Sequence, residues 1–81
     1  MKVSEALEST ADILSPVDVA EMLSVNAQSI RDQAKTAPAM LGFPVAVIGT
    51  TVKIPRVAFL LWMGYRPEQI NGLPVGKRLA P

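Results

Sequence analysis

Cysteine and histidine are both missing from this 81-residue chain. Their absence excludes disulfides, thiol nucleophiles, zinc sites built on Cys and His, and the side chain that most often acts as a general base near neutral pH. Aromatic residues are scarce at 5%, with one Trp, one Tyr and two Phe, so any core must be mainly aliphatic. Long apolar runs are lacking too: the longest, residues 42–49 and 57–64, fall well short of the about 20 residues of a membrane-spanning helix. Glu5, Glu8 and Asp12 follow Lys2 where a secretory leader would need an apolar stretch, so a cytoplasmic location is expected, with no membrane partner. Nor is there a glycine-rich phosphate loop, a metal-ligand spacing or a convincing carboxylate pair, and neither catalysis nor a cofactor is expected.

What remains is a chain of one domain, 49% hydrophobic with a mean hydropathy of +0.30, rich enough in apolar residues that some could meet a partner. Eight Lys and Arg against seven Asp and Glu leave a formal charge of +1, low for a protein that neutralises phosphates. The charges are unevenly placed. Up to Asp32 there are six acids and two bases, Lys2 and Arg31; from Lys35 onward there are six bases and one acid, Glu68.

Residues 3–14 fit a short amphipathic helix, with Ser4 placed to cap it, serving as a packing arm or as an oligomerisation element. A firmer start signal follows: Ser15 as N-cap, Pro16 at the first helical position and Asp18 three residues after the cap predict a helix over 16–23. Ser24, Val25 and Asn26 interrupt it, and Asn26 can cap a second helix from Ala27 to about Lys35. There Ala27, Ile30 and Ala34 form one narrow apolar stripe, leaving Gln28, Ser29, Arg31, Asp32 and Lys35 for solvent or a ligand.

Beyond Thr36 the pattern changes. Pro38 and Pro44 discourage helix, and the β-branched runs 45–48 and 51–54 around Gly49 and Thr50 predict a β-hairpin. Pro55 closes the second strand and opens a third helix, Arg56 to Met63. Its apolar residues nearly encircle it, so Phe59, Leu60 and Trp62 are expected in the core. Residues 67–70 can form a last helical turn, and Val75, Gly76, Lys77 and Arg78 read as a mobile tail. Met40, Leu41 and Phe43 either fill the gap between hairpin and helices or form a partner surface.

Two short helices joined by a three-residue turn are the physical content of a helix-turn-helix. From Leu14 to Trp62 the chain resembles the excisionase-type DNA-binding family, relatives of the MerR winged helices. The resemblance is carried by the run Leu14 to Val25, the pair Ile30-Arg31, Phe43-Pro44-Val45 and Ile48-Gly49 before the hairpin tip, and Val52 to Arg56 followed by Phe59 to Trp62. It implies an α+β, mostly α fold: a small winged helix-turn-helix of three or four helices plus a two-stranded hairpin wing. That domain would span 15–64, between an N-terminal helix or arm over 1–14 and a partly flexible C-terminal extension over 65–81.

The resemblance also implies a function, sequence-specific binding of double-stranded DNA by an excisionase or a transcriptional regulator of a phage or mobile element. Gln28, Ser29 and Arg31 would read base edges or phosphates in the major groove, and Lys35 would contact phosphate. Thr50 and Thr51 would meet the backbone at the wing tip, with Lys53 and Arg56 supplying charge beside it. Asp32 and Gln33 stand where the family commonly has basic or aromatic residues. The segment 36–42 is longer and more apolar than the family's usual linker. Both departures point to cooperative assembly on DNA, as a homo-oligomer or with a recombinase or other phage protein. The same features favour an alternative, an interaction adaptor on the same fold, such as a phage packaging or assembly factor or an anti-repressor.

Overall fold

The computed structural model describes residues 1–72 and forms a small α+β unit of four α-helices and a three-stranded antiparallel sheet. The expected mobile tail at residues 75–78 lies outside the described residues. Helix α1 spans Val3–Glu8, strand β1 Ile13–Leu14, α2 Pro16–Leu23 and α3 Ala27–Thr36. A 3₁₀ turn at Pro38–Met40 leads to β2 (Ala46–Ile48), β3 (Thr51–Pro55) and α4 (Arg56–Trp62), and a second 3₁₀ turn covers Pro67–Gln69.

Helices α2 and α3 form where their caps demand. The Asp18 N–H donates to Ser15 Oγ at 3.2 Å and the Ser15 N–H to Asp18 Oδ2 at 3.1 Å, so the capping box is closed. Asn26 Oδ1 accepts from the Gln28 N–H at 2.7 Å and starts α3. Between the helices Ser24 takes the left-handed conformation, φ 58°, which stops α2 within one residue. The hairpin follows the period-2 rule on β3: Val52 and Ile54 are buried, Thr51 and Lys53 exposed. Gly49, at φ 62°, opens the two-residue turn between Ile48 and Thr51, a conformation that costs a side-chain-bearing residue more than glycine.

Three expectations need correction. The first helix stops at Glu8 rather than running to residue 14, because Ile13 and Leu14 pair with Pro55 and Ile54 as an added strand. The sheet is therefore three-stranded, in the order β1-β3-β2, rather than a two-stranded hairpin alone. Trp62 is 45% exposed and Leu61 43%, although α4 was expected to be buried nearly all round. Strand β3 and α1 pack against α4 and Phe43 meets its aromatic residues, yet Leu61 and Trp62 stay partly exposed.

One apolar cluster holds these elements together. Ala6, Leu14, Val19, Ala20, Ile30, Ala34, Phe43, Val52, Ile54, Phe59, Leu60 and Ile70 are all buried, so every helix and two of the three strands contribute. Phe43 meets Phe59 edge-on at a centroid distance of 5.0 Å, and Trp62 lies 5.0 Å from Phe43 as the rim of the same aromatic group. The segment before β2 splits in two: Phe43 is core and Leu41 half-buried, whereas Met40 is 74% exposed. No helix among the described residues is long and apolar enough to cross a membrane.

Candidate nucleic-acid interface

Helix α3 is held to the body through Ile30 and Ala34, both buried, with Ala27 half-buried beside them. Its neighbours are α2, the 3₁₀ turn after it and β2. The docking stripe is narrow, so most of the helix circumference stays open. Gln28, Ser29, Asp32 and Lys35 are exposed, and Arg31 is half-buried. Lys35 occupies the last turn, where a cation also complements the helix dipole.

The polar face of α3 is internally bonded. Gln28 Nε2 donates to Asp32 Oδ1 at 2.9 Å, and Arg31 Nη1 donates to Gln28 Oε1 at 3.4 Å. These are the i,i+4 and i,i+3 neighbours of a helix surface. The Asp32 carboxylate thus meets an amide rather than a cation, and the amide in turn meets the guanidinium. Among the described residues no carboxylate lies within 4.0 Å of Arg31, Lys35 or Lys53. Elsewhere, a hydrogen bond from the Met1 ammonium to Glu21 holds the pKa of that amine above 8.0.

On the hairpin, Thr50 lies in the turn, and Thr51 and Lys53 are exposed on β3, with Lys53 opposite Ala46 of β2. Sequence reasoning had grouped Arg56 with them as a surface cation, and here the structure overturns it. Arg56 is 2% exposed. Its Nε donates to the Ala11 carbonyl at 2.6 Å, Nη1 to the Ala6 carbonyl at 2.7 Å and Nη2 to the Asn71 carbonyl. Its backbone N–H donates to the Asp12 carbonyl at 2.9 Å. The guanidinium is a clasp between the N-terminal segment and the turn at Asn71, and it is not available to a phosphate.

Asn71 completes that clasp. Its N–H donates to the Leu7 carbonyl at 2.8 Å and its Nδ2 to the Glu8 carbonyl at 2.9 Å. A six-residue helix is too short to persist by itself, and the carbonyls at its end have no intrahelical donors. Arg56 and Asn71 supply those donors from a distance in sequence of 50 and 64 residues respectively. Gly72 permits the close approach, since a Cβ there would lie 3.0 Å from Arg56 Nη2. Sequence reasoning missed this role because carbonyl acceptors leave no side-chain signature. The Gln28–Asp32 bond was not anticipated either, although its i,i+4 spacing on α3 is a signal that could have found it.

An open groove is lined by Leu7, Glu8 and residues 67–72, and it includes none of the α3 or hairpin residues. Comparison of the chain with protein-family models, curated proteins and solved structures finds no match.

Proposed function

We propose that the protein is a winged helix-turn-helix DNA-binding protein, with α2 and α3 as the helix-turn-helix, α3 as the recognition helix and the β2–β3 hairpin as the wing. It acts as an excisionase or transcriptional regulator of a phage or mobile element. The observation that carries this reading is the state of α3, a capped helix docked by one narrow stripe. Its open side bears Gln28, Ser29, Arg31 and Lys35, the cations among them unpaired with any described carboxylate. Arg31 would read base edges, Lys35 and Lys53 would contact phosphates, and the Thr50 and Thr51 hydroxyls would meet the backbone at the wing. The low net charge suits several copies bound side by side rather than one bound tightly.

The test is footprinting and gel shift on the DNA flanking the protein's own gene, at low salt, with wild type and an Arg31→Ala, Lys53→Ala double variant. Specific protection by the wild type that the double variant loses is the expected result. No protection of any flanking site at high protein concentration refutes the reading.

One observation favours a second reading, an adaptor that binds another protein. Met40, Ile48, Leu61 and Trp62 are large apolar side chains left between 43% and 74% exposed. An adaptor would keep its partner in the Arg31→Ala, Lys53→Ala variant, and would lose it on substitution of Trp62 and Leu61.

A further inference from the structure

An acid on a helix that faces DNA repels phosphate, and on charge alone Asp32 works against the function proposed above. Its contacts give it another role. Asp32 Oδ1 takes one N–H of the Gln28 amide at 2.9 Å, which decides which way round that amide sits: nitrogen toward Asp32, oxygen away from it. The oxygen so presented accepts from Arg31 Nη1 at 3.4 Å. Without Asp32 the amide is free to rotate and offer its N–H groups to Arg31, which has no acceptor atom to receive them.

The relay occupies one of the five N–H donors of the half-buried Arg31, and the other donors have no hydrogen-bond partner among the described residues. Arg31 is the fifth residue of α3, within the N-terminal part that approaches base edges when such a helix enters the major groove. A guanidinium edge held in a set direction matches the paired O6 and N7 acceptors of guanine, and no other base offers that pair in the major groove.

We propose that Asp32 is a positioning residue for base recognition: through Gln28 it sets the Arg31 guanidinium to read a guanine in the major groove of the target duplex. The proposal rests on the DNA-binding reading and adds to it one defined base and the residue that controls how strictly it is read.

Selection from a random duplex library, followed by affinity measurement on the selected site and on a variant with that guanine replaced, tests it. The proteins are the full chain as wild type, Asp32→Asn, Asp32→Ala, Gln28→Ala and Arg31→Ala. Wild type is expected to favour guanine at one position by about tenfold or more, the range of a good bidentate pair. Arg31→Ala abolishes that preference. Asp32→Asn keeps it, because its side-chain oxygen still accepts from Gln28, and binds all duplexes more tightly because the charge is gone. Asp32→Ala also binds non-cognate duplex more tightly, yet its preference at that position drops to within about twofold, and Gln28→Ala behaves likewise. Asp32 and Gln28 are exposed, so the Ala variants keep the fold, which thermal melting checks.

If Asp32→Ala retains the wild-type preference, Asp32 acts by charge alone and the positioning role is overturned while DNA binding stands. If the wild type binds no duplex at low salt, the DNA-binding reading itself falls, and this proposal with it.

Discussion

Replacing Arg56 separates its two assigned roles, surface cation and interior clasp, more sharply than any other substitution. In Arg56→Ala three charge-assisted hydrogen bonds disappear, to the carbonyls of Ala6, Ala11 and Asn71. At about 1.5–3 kcal/mol each their gross value is about 4.5–9 kcal/mol. The cost of keeping a guanidinium out of water, several kcal/mol, is removed with the side chain, so a net loss of about 3–5 kcal/mol is expected. Domains carry roughly 0.05–0.15 kcal/mol per residue, or about 4–12 kcal/mol for a chain of this length. Arg56→Ala should therefore be mostly unfolded or melt more than about 12 °C below wild type. Arg56→Lys keeps the charge but reaches fewer of the three acceptors, and should lose about 2 kcal/mol. Urea unfolding followed by far-ultraviolet circular dichroism measures both. An Arg56→Ala variant within about 0.5 kcal/mol of wild type refutes the clasp.

Phe59→Ala should cost about 3–5 kcal/mol, since Phe59 is fully buried, and Trp62→Ala clearly less, since nearly half of Trp62 is already in water; urea midpoints rank the two. Gly49→Ala should cost about 1–2 kcal/mol through φ alone, because nothing lies within 4 Å of its Cβ, and Gly49→Asn should cost less; equal losses from the two would point to a steric cause. Lys35→Ala should reduce the slope of log K against log salt by about 1 and weaken cognate and non-cognate DNA alike; a changed base preference would move Lys35 from phosphate to base.

The elements that local chemistry specifies were legible. Ser15, Pro16 and Asp18 mark the start of α2, Asn26 that of α3, and Gly49 between two β-branched runs marks the hairpin, and each signal is complete within a few residues. What escaped depends on residues far apart in sequence. Ile13 and Leu14 carry a pattern that fits a helix, and only their partners Ile54 and Pro55 make them a strand. Trp62 continues the apolar circumference of α4, and whether it is covered depends on which distant segments pack there. Arg56 is the clearest case at the candidate site. Its neighbours Lys53 and Pro55 suggest a basic hairpin flank, yet the three backbone carbonyls that accept its hydrogen bonds come from residues 6, 11 and 71. The exposure of Gln28, Ser29 and Lys35 on α3 follows from helical periodicity alone, whereas Arg31, expected to be open with them, is half-buried.

Burial of Arg56 also changes what the net charge of +1 means for binding. With that guanidinium inside, α3 and the hairpin offer three cations, Arg31, Lys35 and Lys53, and Asp32 stands among them. Few phosphates can be neutralised by one copy, so binding to arbitrary duplex is weak. Discrimination, however, is a difference between two affinities, and it grows as much by lowering the wrong one as by raising the right one. An acid beside the reading arginine lowers the affinity for every duplex through the phosphates. By orienting Gln28 it returns part of that loss only where Arg31 meets the acceptor pair of guanine. The weak charge of the reading face and its selectivity then have the same source, and removing Asp32 should raise affinity while lowering discrimination.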